Sequence, residues 1–145
     1  MKKYILIAGV NGAGKSTFNE NITFNQETTL CGRAILKNIK RAKEQGYFIE
    51  LHYIGLENVE IAKKRVLNRV KQGGHGIKES DIERRYEETF KNLDIVLPVC
   101  DLVAFYDNTI VFRRFAIYKN GYSVRVSQNV PQWYRNQFLR QPQKI

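Results

Sequence analysis

Strand-length apolar runs that alternate with helix-period stripes predict an α/β fold, a parallel sheet flanked by helices, followed by a C-terminal antiparallel hairpin and a short helix. Two observations carry that expectation. Tyr4-Ile5-Leu6-Ile7-Ala8 and Leu102-Val103-Ala104-Phe105-Tyr106 are continuous apolar runs of the kind buried on both faces in a parallel sheet, with helical stripes between them. Near the end, Asn120-Gly121 separates two strand-like stretches, residues 111–118 and 122–127, and Asn-Gly is the strongest short hairpin signal. The 145 residues make one domain, an α/β core over 1–108 with the hairpin and terminal helix over 109–145.

The first strand, residues 4–8, runs into glycines, and a helix opens at Lys15. A short strand-like stretch, Phe24-Asn25-Gln26, ends at Glu27, with Thr28 and Thr29 placed to cap the next helix. Ile35, Ile39 and Ala42 mark that helix within residues 30–45, stopped by Gly46, and residues 48–54 form the next strand. Asn58 is an N-cap for the helix marked by Val59, Ala62, Val66 and Val70, which breaks at Gly73-Gly74. Ser80 with Glu83 reads as a capping box for a helix whose apolar stripe is Ile82, Tyr86, Phe90 and Leu93. The strand over 102–106 ends at Asp107-Asn108, and Pro131 opens the final helix with Trp133 and Phe138.

Composition excludes several classes. Hydrophobic residues at 43% and charged residues at 26% are near the globular average, which argues against disordered and disulfide-scaffold chains. No run approaches a membrane span and no export cleavage site is seen, so a cytoplasmic protein is expected. Cys31 and Cys100 read as thiols without chemistry. The net charge of +10 is uneven: residues 1–107 carry +3, while residues 108–145 hold seven bases and no acid. Such a balance suits a polyanion or a phosphorylated, anionic small molecule; nucleic acid is disfavoured because no RNA-reading motif accompanies the charge.

The chemistry begins at Gly9-Val10-Asn11-Gly12-Ala13-Gly14-Lys15-Ser16, a full match to G-x-x-x-x-G-K-[ST] between a strand and a helix start. This is the phosphate loop of a P-loop NTPase-type sheet. Gly9, Asn11, Gly12, Ala13, Gly14, Lys15, Ser16 and Thr17 are the candidate nucleotide ligands, with Lys15 reaching the β and γ phosphates of ATP and Ser16 ligating Mg²⁺. No acid-ended Walker B strand and no Asn-Lys-x-Asp base reader is present, which argues against motor ATPases and GTP-binding proteins. Lys71-Gln72-Gly73-Gly74-His75-Gly76 reads as a lid, flanked by Arg65 and Arg69 before it and Arg84 and Arg85 after it. Arg69, Arg84 and Arg85 join Lys15 as candidate catalytic residues, since phosphoryl transfer needs positive charge on the transferred group. Glu27, Thr28 and His75 are candidate substrate ligands.

These motifs together resemble the zeta-toxin family of P-loop kinases, in particular its small bacterial members called predicted ATPases. The resemblance rests on the phosphate loop, Phe24 through Leu30, Gly73-Gly74-His75-Gly76-Ile77 with Arg84-Arg85-Tyr86, and Tyr106-Asp107-Asn108. It implies an ATP-dependent small-molecule kinase acting on a hydroxyl acceptor, a UDP-amino sugar in characterised members, and an antitoxin as partner. It assigns Lys15 and Ser16 to the nucleotide, Glu27 and Thr28 to the substrate, and the lid arginines to the phosphates.

One part of the family pattern is missing. Relatives place a longer segment between the phosphate-loop helix and the Glu-Thr-Thr strand, including a strand-end Asp that acts as general base. Geometry makes the same point, because a six-residue strand spans about 20 Å and a helix over residues 15–21 returns only about 10 Å. The expectation is therefore a chain lacking that segment and its base. The residues support two further readings: a degenerate ATP-binding module without catalysis, and an ATPase acting with nucleic acid.

Overall fold

The structure, a computed structural model, describes residues 2–15, 26–74 and 76–139. Six strands form one sheet: β1 (Lys3–Ala8), β2 (Gln26–Thr28), β3 (Phe48–Gly55), β4 (Leu102–Asp107), β5 (Arg113–Lys119) and β6 (Tyr122–Val126), in spatial order β2-β1-β3-β4-β5-β6. The first four strands in that order run parallel and the last two antiparallel, as the sequence predicts. Helices α1 (Ala34–Glu44), α2 (Val59–Lys71), α3 (Glu79–Val96) and the short α4 (Gln132–Tyr134), which widens into a π-helical turn over Arg135–Leu139, flank the sheet.

Side chains alternate across the sheet and divide the core in two. Leu6, Leu51, Tyr53, Val103 and Phe105 face one layer, where Ile35 and Ile39 of α1, Phe90 and Leu93 of α3, and Trp133 and Tyr134 pack. Ile7, Ile54, Ala104 and Tyr106 face the other, against Ala62 and Val66 of α2. The first half of β3 is not apolar on both faces. Glu50 and His52 occupy its second face, where the His52 ring nitrogens meet a Glu50 carboxylate oxygen at 2.6 Å and the Tyr106 hydroxyl at 2.9 Å.

Three boundaries differ from those expected of the sequence, each for a local reason. Helix α1 starts at Ala34 and not at residue 30, because Leu30 is buried with φ 58° and Gly32 comes after it at φ 81°, both non-helical. Helix α3 starts at Glu79 with Lys78 as its N-cap and no side-chain cap bond, which puts Ser80 inside the first turn. Glu83 is turned instead toward Lys63 of α2, 3.4 Å away, so the expected capping box does not form. Strand β5 starts at Arg113, leaving Ile110 90% and Val111 67% exposed in the loop after β4.

Other signals hold. Asn58 Oδ1 accepts from the Ile61 amide at 3.1 Å, capping α2, and Gly46 stands just past α1 with φ 82°. Asn120 and Gly121, at φ 52° and 84°, make the two-residue turn between paired Lys119 and Tyr122, the geometry of a type I′ hairpin. Gly55 is required by close approach: a Cβ there would lie 2.3 Å from the Trp133 ring.

Candidate functional site

The parallel order places the carboxyl ends of β2, β1, β3 and β4 along one edge, the edge where such sheets hold ligands. Residues 9–15 form the loop leaving β1. The Gly9 amide donates to the Thr28 carbonyl at 3.1 Å and the Ala13 amide to the Val10 carbonyl at 3.0 Å, which turns the loop over the strand end. At Gly14 the backbone takes φ 101°, and an added Cβ would sit 2.5 Å from Asn108 Nδ2. Only glycine tolerates both conditions.

Neighbouring elements fasten this loop. Asn108, the residue after β4, donates from Nδ2 to the Ala13 carbonyl at 2.9 Å. Arg65 of α2 donates to the Gly12 carbonyl at 3.3 Å and to the Thr109 carbonyl at 3.0 Å, joining the loops after β1 and β4. Arg85 of α3 donates to Asn11 Oδ1 at 2.9 Å. A cavity of about 480 Å³ opens above the loop, lined by residues 11–15 with Glu27, Arg65 and Arg69.

Lys15 lies at the cavity floor and donates from Nζ to the Gly9 carbonyl at 2.7 Å. Burial lowers its pKa to about 8, helped by Arg69 and Arg85 and opposed by Glu27 and Cys31. The ammonium is thus poorly solvated and short of counter-charge, a condition that an incoming phosphate relieves. Glu27 stands opposite Ile7 in the register of β2 on β1 and brings a carboxylate to the cavity wall.

The candidate residues fall into distinct groups. Residues 11–15, Arg69 and Glu27 meet at the cavity, with Arg85 tied to its loop. Arg84 does not join them: its side chain is 61% exposed and sits 3.4 Å from Asp81 on the outer face of α3. Thr28 Oγ1 accepts from the Leu30 amide at 2.9 Å, which shapes the turn after β2. Asp107 is buried and accepts from Trp133 Nε1 at 2.9 Å and from the Thr109 hydroxyl at 2.8 Å, a structural role at the same edge. Ser16, Thr17 and His75 lie outside the described residues, as does the crossover over 16–25 where the missing segment is expected. The Gly73-Gly74 pair closes α2: the Gly73 and Gly74 amides donate to the Val70 and Arg69 carbonyls at 3.0 and 2.8 Å.

Sequence alone marks neither Arg65 as a loop clamp nor Asn108 as a loop anchor. Only the position of Asn108 directly after a strand at the ligand edge hints at its role. Asn92, inside the apolar stripe of α3, gives no sequence signal either; buried there, it donates to the Leu30 and Gly32 carbonyls at 3.1 and 3.0 Å and fixes the loop after β2.

Among the described residues no group of three or more His, Cys, Asp or Glu is arranged to hold a metal. A nucleotide-bound Mg²⁺ needs fewer protein ligands, because phosphate and water oxygens supply the rest, and Glu27 offers one oxygen donor at the wall. The loop, its lysine and the surrounding arginines fit a polyphosphate.

Comparison with known proteins gives the fold. The chain is similar, at a TM-score of 0.70 and 12% identity over 94% of its length, to a chain of the crystal structure of AvrRxo1-ORF1:AvrRxo1-ORF2 with sulphate ions. It spans 63% of that chain. It is also 45% identical over 67 residues, 46% of its own length, to an uncharacterized protein of Haemophilus influenzae, and so matches about half of that relative, 48%. No family model matches the chain. Among the described residues, no helix is long and apolar enough to cross a membrane.

Proposed function

We propose that this chain is a zeta-toxin-like kinase that transfers a phosphoryl group from Mg²⁺-bound ATP to a hydroxyl acceptor, a UDP-amino sugar being the acceptor class that the resemblance suggests. The observation that carries this reading is the convergence of the phosphate loop, Lys15, Arg65 and Arg69 with one carboxylate on a single cavity. Bound ATP would supply the activated phosphoryl group. The loop amides and Lys15 hold its phosphates, Arg65 keeps the loop in shape while presenting charge, and Arg69 and Arg85 add the positive potential that phosphoryl transfer requires. Ser16 is the Mg²⁺ ligand of the motif.

The AvrRxo1 structure contains two open reading frame products and sulphate ions. The pairing supports a second polypeptide, an antitoxin, as partner for this chain as well.

The test is an ATP-to-ADP assay on the purified chain with and without UDP-N-acetylglucosamine, alongside titration with a fluorescent ATP analogue. Acceptor-stimulated turnover abolished by Lys15→Ala supports the kinase. Saturable ATP binding with no turnover favours the degenerate binding module, a reading to which the absence of a second carboxylate on the cavity wall, among the described residues, lends weight.

A further inference from the structure

The resemblance implies a strand-end Asp as base on a segment that the sequence lacks, and one carboxylate lines the cavity at the phosphate loop. The carboxylates at the ligand edge differ in what they do. Asp107 is held by Trp133 and Thr109, Glu88 accepts from the Gly32 amide at 2.6 Å, and Glu57 lines a separate cavity with Asp107 and Arg113. Glu27 alone, among the described residues, lines the cavity that contains Lys15.

Its placement is enforced by its neighbours. Tyr4 hydrogen-bonds Gln26 on one side, and on the other the Thr28 carbonyl accepts from Gly9 while its hydroxyl accepts from Leu30. Successive strand residues point to opposite faces, so fixing Gln26 and Thr28 fixes the direction of Glu27. The result is a carboxylate on the same cavity as Lys15, where its charge opposes that of the phosphates. A charge that costs affinity at this position is useful to a reaction that must dispose of a proton there.

We propose that Glu27 is the general base of the transfer, a catalytic residue that takes the place of the absent strand-end Asp. This rests on the kinase reading above. The oxygen of a neutral hydroxyl acceptor attacks the γ-phosphorus, a new P–O bond forms, the bond between that phosphorus and the β–γ bridging oxygen breaks, and ADP leaves with the electron pair. The hydroxyl proton passes to the Glu27 carboxylate. The same geometry defines the acceptor class: a hydroxyl on a neutral carbon, since an acidic acceptor needs no base and would be repelled by this carboxylate.

The experiment compares the wild-type chain with Glu27→Gln and Glu27→Asp, using ATP, Mg²⁺ and UDP-N-acetylglucosamine as the probe acceptor, with water as the background acceptor. The expected result is a fall in kcat of about a hundredfold or more in Glu27→Gln, ATP affinity unchanged or tighter, and partial rescue of kcat in Glu27→Asp. Wild-type turnover that survives intact in Glu27→Gln overturns the base while leaving the kinase reading in place. Recovery of kcat in Glu27→Gln at high Mg²⁺ also overturns it, by making Glu27 a metal-positioning group. No wild-type transfer to either acceptor, with ATP bound, overturns the kinase reading and this proposal together.

Discussion

Arg85 on α3 donates from Nη1 to Asn11 Oδ1 in the phosphate loop at 2.9 Å, bridging residues 74 positions apart in the chain. Its neighbour Arg84 points away, 3.4 Å from Asp81 and 61% exposed. Consecutive helical residues lie about 100° apart around the axis, so one of two adjacent arginines faces the loop and the other faces water. Removal of Arg85 takes a charge-assisted contact from the loop and a positive charge from the cavity. Arg85→Ala is expected to weaken ATP binding about tenfold, whereas Arg84→Ala changes it by less than about twofold. Titration of both variants with a fluorescent ATP analogue checks the contrast. Combined with Asn11→Ala, the Arg85 loss should be less than additive, because the two side chains share one bond.

Helix caps provide a second contrast. Asn58 accepts from Ile61 and satisfies an otherwise open amide of α2, while Ser80 makes no cap bond on α3. Asn58→Ala is expected to cost about 1 kcal/mol in urea unfolding, and Ser80→Ala to fall within about 0.5 kcal/mol of wild type. Equal losses would mean that Ser80 caps α3 in solution.

Signals confined to a few neighbouring residues are readable in the sequence. The apolar runs of β1 and β4, the Asn58 cap, the Gly46 stop and the Asn120-Gly121 turn depend on local sterics and period alone. The phosphate loop is equally legible, because its function constrains consecutive residues. Features hidden from the sequence are set by distant partners. Ser80 and Glu83 have the right spacing for a capping box, but Lys63 on another helix takes Glu83. Leu30 belongs to a helical pattern by composition, but burial of its side chain holds it at φ 58°. Arg65 and Asn108 become loop anchors only when the sheet brings the ends of β1 and β4 to one edge.

Asp107 and Trp133 close that edge from below. The indole N–H is buried and its acceptor is the Asp107 carboxylate at 2.9 Å, which also receives the Thr109 hydroxyl. Asp107→Ala takes the acceptor from the buried indole N–H and from the half-buried Thr109 hydroxyl and is expected to cost about 1 to 3 kcal/mol. Trp133→Phe should reduce that penalty when combined with Asp107→Ala, since it removes one of the orphaned donors. Chemical denaturation of the single and double variants measures the coupling. The loss should reach ATP binding as well, because Thr109 lies between Asp107 and the Arg65 clamp.

Lys15 gives the site a pH dependence of definite sign. Burial lowers its pKa from 10.5 to about 8, so between those values the unfolded chain holds a proton that the folded chain has released. The unfolded state binds more protons across that window, and the stability linked to this group therefore rises with pH from about 8 toward 10.5. Below about 8 both states are protonated and the whole cost of burying the charge is felt. Lys15→Met removes that charge while keeping the apolar stem. At pH 7 the variant should be more stable than wild type, with the difference shrinking as pH rises through the window. Phosphate binding runs the other way. It needs the ammonium, so ATP affinity of the wild-type chain should fall by about tenfold per pH unit above the lysine pKa, and Lys15→Met should bind weakly at every pH. Urea unfolding and ATP titration at matched pH test both halves, and a variant less stable than wild type at pH 7 would show that the Lys15 ammonium is well compensated in the free protein.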